Sequence, residues 1–567
     1  MDTDFVRQSK PHEEKTQMRH LIPLTVVSFF ILLLACPLTA EEKVYDVVVY
    51  GGTSAAVIAA QQTALMGKSV IVVSPDKHLG GLSSGGLGAT DSGKQDAIGG
   101  LAKGFYHRLW QHYQADDAWM FEPKPEAMEG QGGRGINNTT QTMWVFEPSA
   151  AEGVFESIVQ EHHIEVLREE RLDRENGVEK QGNLIESITT LSGKTFRGRM
   201  FIDATYEGDL MAAAGVTYTV GRESNDAYGE TLNGVQVGMS RYHQFAGFVD
   251  PYIERGNPES GLLPGVHPEI NGPDGSADKL VQAYNLRVCM TDLPENRLDW
   301  EKPQGYDELQ YELLFRSIEA GQTEFTTFSR MPNRKTDSNN NFAVSTDFIG
   351  QNYDYPDASY QRRAEIYQEH LRWHQGLFWT LANHERVPEQ IRQVFQKWGR
   401  ARDEFQDNGS WSWQMYIRES RRMVGDFVVT QNHLQLKTET PRPIGMGSYQ
   451  MDSHNTQRYV ARTEDGRATV RNEGDVEVGL SQPYPIDYGA ILPKKAECAN
   501  LLDPVTVSTT HIAYGSIRME PVFMILSQSA ATAAVLSIEA GCAPQDLPYE
   551  TLRARLESDG QCLVWDK

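Results

Sequence analysis

The sequence predicts an α/β fold: a Rossmann-like dinucleotide-binding domain with an α+β domain inserted into it. Three observations predict this. Residues 47–50 (VVVY) are a short apolar run of β-formers, followed at once by a glycine-bearing turn, small helix formers to Met66 and a second β-branched run at 70–73. That order, strand, turn, helix, strand, is a nucleotide-binding βαβ unit. Five glycines then fall within the nine residues 80–88, which suits backbone lying close to a flat ligand better than a helix or core strand. Near the other end, an alanine-rich helix is predicted over 522–540, with Pro521 in its first turn.

The turn carries the chemistry. Gly51 fills the first glycine position of GxGxxG, Thr53 stands at the second and Ala56 at the third. A pyrophosphate needs backbone N–H donors and a positive helix end, so Gly51, Gly52, Thr53, Ser54 and Ala55 are the candidate phosphate residues. Ala56, Ala60 and Ala64 give the helix a slim face for close packing, and a helix–sheet contact without ligand is the competing reading. Gly67 is placed as the helix stop. At the end of the second strand, where an acidic ribose ligand is usual, stand Ser74 and Pro75, with Asp76 next. Ser74 offers one hydroxyl; Asp76 is the acidic alternative.

The 567 residues suffice for a large core and more than one domain, and a formal net charge of −24 argues against a nucleic-acid partner. Residues 21–35 (LIPLTVVSFFILLLA) are an uncharged apolar run of fifteen, short for a membrane span. With the small residues ahead of Glu41 they read as a signal peptide cut after Ala40, implying a periplasmic or secreted protein. A lipoprotein lipidated at Cys36 and an uncleaved anchor are the two rivals. The five cysteines, at 36, 289, 498, 542 and 562, make no metal or iron–sulfur spacing. No iron is expected, and a Cys542–Cys562 disulfide stays open.

With "HLGG" at 78–81 just after the second strand, the chain resembles the glutathione-reductase-type (GR2) FAD fold. More narrowly it resembles the FAD-dependent oxidoreductase family that includes many exported bacterial proteins labelled "xanthan lyase-related", and more distantly the flavin subunit of heterodisulfide reductase. The resemblance implies FAD as cofactor, with Gly80, Gly81 and Leu82 beside it. It implies that the strand ending in Asp203-Ala204-Thr205 brings Ala204 and Thr205 near the adenosine half. Glu207 and Asp209 follow, and helix capping is an equal reading for them.

Residues 165–167, 184–190 and 195–202 read as a small β-meander, and 284–291 as a strand. The polar stretch 330–350, with three consecutive asparagines, reads as a solvated loop. Helices are expected over 359–382 and 389–398. Residues 414–429 (QMYIRESRRMVGDFVV) read as a helix with Arg418 and Arg422 on one face: either a surface ion-pair cluster or a clamp for a carboxylate or sugar acid. The resemblance includes this stretch. It also includes the run 510–521 (THIAYGSIRMEP), in place of the usual Gly-Asp before the late helix, which puts Glu520 among the flavin contacts. A turn at 514–516 would let His511 and Arg518 face one cavity. His511 is then the leading base, because histidine titrates near neutrality, and a structural histidine is the alternative. Arg518 would hold a substrate oxygen or flavin O2.

The resulting organisation is a signal peptide at 1–40, FAD-binding segments at 42–222 and 481–545, an inserted substrate domain at 223–480 and a tail at 546–567. The expected activity is FAD-dependent oxidation of a small molecule or carbohydrate, a sugar or sugar acid, with hydride transfer to flavin N5. The sequence does not indicate the electron acceptor, and no stable membrane span is expected after signal cleavage. Two other classes stay open: a polysaccharide lyase or isomerase, and a non-catalytic carbohydrate-binding protein that keeps the fold.

Overall fold

Four consecutive apolar residues at 47–50 suit a strand covered on both faces, and in the computed structural model they are fully buried in β1 (Val44–Tyr50). The structure describes residues 43–131 and 133–566; the expected signal peptide and Cys36 lie outside them. β1 pairs in parallel with β2 (Val70–Val73) on one side and with Thr195–Asp203 on the other. Glu165–Leu167 extends the parallel sheet beyond β2. At its far end Thr195–Asp203 also takes Leu501–Leu502 in parallel, so a strand remote in sequence completes the sheet.

The expected meander is corrected. Only Val178–Gln181, Leu184–Thr189 and the start of Thr195–Asp203 run antiparallel. Glu165–Leu167 belongs beside β2, and the long strand leaves the meander to become central. Nine residues are enough for it to pair one way at its polar start and another at its apolar end, Phe201 and Ile202.

Helix α1 (Ser54–Leu65) lies against the late helix Glu520–Ala540. Alanines 55, 56, 59 and 60 on one, and 530, 531, 533 and 534 on the other, are fully buried. Small side chains permit this close approach. Glu520–Ala540 is long and apolar enough to cross a bilayer, yet its apolar window is 94 % buried in protein, as a core helix is.

A second, antiparallel sheet has the order Arg297–Leu298, Gly399–Ala401, Met290–Thr291, Lys335–Asn340, Thr326–Met331. It shares a core with Tyr360–Asn383 and Glu389–Lys397, the two expected helices. Three expectations change here. Residues 330–350 are mostly not a solvated loop: they contribute a hairpin whose Lys335, Thr336, Asp337 and Ser338 are buried, because each finds a partner inside. Of 284–291, only Met290–Thr291 is strand. Residues 414–429 form no helix; they run extended, with Arg422–Met423 paired to Tyr218–Thr219, and Arg418, Glu419 and Arg422 are all buried. Cys542 and Cys562 do not form a disulfide.

Candidate functional site

The chain between β1 and α1 turns against the end of the neighbouring strand, and this contact explains its departures from GxGxxG. Gly51 has φ +137°, and a Cβ there would lie 2.5 Å from the carbonyl oxygen of Ala204. Only glycine tolerates that position. Thr53, at the second glycine position, caps α1: its Oγ1 accepts from Ala56 N and donates to Ala204 O at 2.6 Å. Its side chain ties the turn to the adjacent strand, work a glycine could not do. A Cβ on Gly52 would come 2.4 Å from Ser74 Oγ, so the turn is packed close on that side as well.

Gly52 and Thr53 open onto a cavity of about 310 Å³, whose wall includes Pro75, Asp76, Thr205, Tyr206, Glu207 and Asp209. Ser74 is fully buried, its hydroxyl donating to Asp76 O and accepting from Asp76 N. Its hydrogen bonds thus close the turn that presents Asp76, the acidic alternative, to the cavity. Tyr360, Arg363, Ala364, Tyr367 and Gln368 of the helix Tyr360–Asn383 form the opposite wall, with Trp413, Gln414 and Met415 beyond. Sequence reasoning missed this wall. Its signal was the spacing i, i+3, i+4, i+7, i+8, which places the five on one helical face. Asp209 anchors it, taking Arg363, Arg421 and Arg174 at 2.7, 2.8 and 3.1 Å. Burial works the other way, but the three guanidiniums hold its pKa down to about 2.

The glycine-rich loop is locked by one carboxylate. Glu520, the first residue of the late helix, accepts hydroxyl protons from Ser54 at 2.6 Å, Ser83 at 2.9 Å and Tyr206 at 2.6 Å. Tyr206 in turn accepts from Leu82 N. Burial raises the Glu520 pKa, and the three hydroxyl donors oppose it. Of the expected cofactor residues, Gly52, Thr53, Pro75 and Thr205 therefore line the cavity. Gly51, Ser54, Ala55, Ser74, Gly80, Gly81, Leu82, Ala204 and Glu520 shape and brace it from behind.

The loop then runs against a cluster of arginines. A Cβ on Gly86 would approach Arg287 O to 2.8 Å, and one on Gly88 would meet Met331 Sδ. Arg287 and Arg418 lie over the ring of Tyr416, 4.9 and 4.7 Å from its centroid, and Arg518 Nη1 reaches its hydroxyl at 3.4 Å. Each guanidinium has an aspartate, Asp337, Asp347 and Asp452 respectively, yet each keeps a buried Nε with no hydrogen-bond partner. Asp91 stands among these charges with one buried oxygen unpartnered. Burial raises its pKa and Asp452 adds to this, while Arg287 and Arg518 pull it down.

The structure separates the two expected catalytic residues. Both sit at the ends of a helix, His511–Ile517, where a turn was expected. Neighbouring residues of the strand Met451–Ser453 point to opposite faces: Asp452 takes Arg518, and Ser453 Oγ lies 3.0 Å from His511 Nε2. His511 Nδ1 is 2.7 Å from Glu419 Oε2. A carboxylate can only accept, so Nδ1 carries the proton and Nε2 faces Ser453 as an acceptor, in competition with Gly474 O, which lies 3.0 Å from the same hydroxyl. The order is that of a serine–histidine–carboxylate relay, but Ser453 is fully buried and His511 only 2 % exposed. Burial first, then Arg422 and Arg222, lowers the His511 pKa to about 3. His511 is thus held neutral by its surroundings, between Glu419 and Ser453.

The family model described as FAD dependent oxidoreductase matches residues 46–556. Solved structures are similar over smaller shares. The OxyS anhydrotetracycline hydroxylase from Streptomyces rimosus is 14 % identical over 32 % of this chain and 36 % of its own, with a TM-score of 0.22. A flavin-containing monooxygenase from Stenotrophomonas maltophilia is 17 % identical over 33 % and 44 %, with a TM-score of 0.18. A bacillithiol disulfide reductase from Staphylococcus aureus is 13 % identical over 29 % and 38 %, with a TM-score of 0.18. The chain spans less than half the length of each of these three. No curated protein matches it.

Proposed function

The chain belongs to the FAD dependent oxidoreductase family, and from that premise we propose that it oxidises a small polar molecule, of the sugar or sugar-acid kind, by hydride transfer to flavin N5. FAD is the cofactor of this oxidoreductase, and the residues fit it. The close approach at Gly51 and Gly52 leaves the phosphate turn bare of side chain, and the start of α1 offers backbone donors there. Asp76 and the Tyr360–Gln368 face suit the ribose and adenine end. When bound, FAD supplies a two-electron acceptor.

The observation that carries the reading is the set of three buried, partly unsatisfied guanidiniums around Tyr416, directly behind the glycine-rich loop. Unpaired buried N–H groups are costly; substrate hydroxyl or carboxylate oxygens are the acceptors they suit. Arg518, held by Asp452, orients a substrate oxygen. Asp91 is the proton acceptor: an oxygen free of partners, a raised pKa and Arg518 close by are what a base beside a bound alcohol needs. It takes the role first given to His511. The apolar run at 21–35 supports a periplasmic or secreted setting. The test is anaerobic mixing of flavin-loaded enzyme with a panel of sugars and sugar acids. Bleaching of the flavin band by a member of the panel supports the reading. A flavin that dithionite bleaches and no member does would refute it.

A further inference from the structure

We propose that His243, Asp475 and Glu477 hold a divalent metal ion of the zinc or manganese kind, apart from the flavin site. Two distant stretches of chain bring an imidazole nitrogen and two carboxylate oxygens within 4.8 Å of one another. His243 Nε2 and Glu477 Oε1 are already 3.5 Å apart. Ligands about 2.1 Å from an ion lie at most about 4.2 Å from each other, so small side-chain shifts close the set.

This is not a solvated acidic patch. Asp475 is 1 % exposed, and its Oδ2 is buried with no hydrogen-bond partner; so is His243 Nδ1. A buried carboxylate oxygen without a donor is costly. Among the described residues, no lysine or arginine pairs with Asp475 or Glu477. The contrast lies elsewhere in the molecule. Glu147, Asp403 and Glu404 make a similar trio, but the ammonium of Lys335 sits among them at 2.8, 2.8 and 2.7 Å. That trio carries its own fixed ammonium; in the His243 trio, among the described residues, only the imidazole when protonated offsets the two carboxylates, and an incoming ion would displace that proton.

Two carboxylates match a double positive charge. An imidazole beside them favours zinc over calcium or magnesium, which prefer oxygen alone, and the two carboxylates keep manganese eligible. Glu477 lies on Val476–Val478, the strand paired with Met451–Ser453. The ion would therefore fasten residue 243 to the hairpin that presents Asp452 and Ser453.

The test uses flavin-loaded enzyme with accessible thiols alkylated, stripped with EDTA, given Zn²⁺ alone or Mn²⁺ alone, desalted and assayed by plasma mass spectrometry. The expected result is about one ion per flavin, falling at least about tenfold in Glu477→Gln and His243→Gln at unchanged flavin content. The Glu477 side chain is 29 % exposed, so its variant disturbs little of the core. Uptake below roughly a tenth of an ion per wild-type chain would overturn the proposal, as would equal uptake by wild type and Glu477→Gln.

Discussion

Arg518 grips Asp452 twice: one Nη2 lies 3.2 Å from both the carbonyl oxygen and the carboxylate oxygen of that residue. The other terminal nitrogen reaches Tyr416, and Nε is left without a partner in a buried site. Two nitrogens fix the guanidinium and the third is available. Arg518→Lys cannot reproduce this, because one ammonium does not copy a planar fork. Its kcat/KM should fall about 10²-fold or more, with flavin content unchanged. Steady-state kinetics with flavin absorbance as the control measures both. Wild-type kinetics in Arg518→Lys would remove this residue from substrate binding.

His511 gives a different pattern. Its pKa, near 3, lies far below any pH at which the folded enzyme would be assayed, so it sets no limb of the pH–rate profile. His511→Ala opens a cavity and takes one hydrogen-bond partner each from Glu419 and Ser453. The thermal midpoint should drop, while the flavin reduction rate per bound flavin stays within about threefold. A loss of about 10²-fold at intact flavin content would restore the catalytic role.

Gly51→Val tests the phosphate turn. A branched side chain would meet the Ala204 carbonyl at a φ of +137°. The purified variant should be colourless or nearly so, by absorbance and by extraction of free flavin. Full flavin content would place the cofactor elsewhere.

Asp203 and Asp503 follow the paired residues Ile202 and Leu502 at the ends of neighbouring parallel strands, and both are fully buried. Burial first, then Asp203, pushes Asp503 up to about 8, from an ordinary 3.8. A carboxyl that holds its proton longer when folded stabilises at low pH and loses that contribution as pH rises from about 4 to about 8. Asp503→Asn has no proton to lose. Relative to wild type, its thermal midpoint should improve steadily between pH 5 and pH 8. A constant difference across that range would contradict the assignment.

Much of the fold was legible because local pattern and final burial agree. The apolar runs at 47–50 and 70–73 are strands, and the alanine-rich stretches are the helices Ser54–Leu65 and Glu520–Ala540; the packing of these two helices on each other was not foreseen, because the α1 alanines read as a face for the sheet. The central strand was misplaced because its pairing with Leu501–Leu502 is set by chain some 300 residues away, which no local period encodes. The same cause hid the buried polar elements. Lys335, Asp337, Arg418 and Arg422 read as surface by composition, and their distant partners, Glu404, Arg287, Asp347 and Glu223, explain their burial. In the site, the glycines stood out because their clustering beside a strand and a helix is a local pattern, although what they pack against, Ala204 for Gly51 and Arg287 for Gly86, is distant in sequence. Asp91, Arg287 and Tyr416 were not, because each is ordinary until the fold brings it to the others.

The most direct measurement is single-turnover flavin reduction by Asp91→Asn under anaerobic conditions, with whichever sugar or sugar acid bleaches the wild type. Asparagine keeps the shape of the carboxylate and cannot take a proton. Flavin should stay bound at wild-type levels, with its reduction slowed about 10²–10⁴-fold. Reduction at the wild-type rate would contradict the role of Asp91 as proton acceptor.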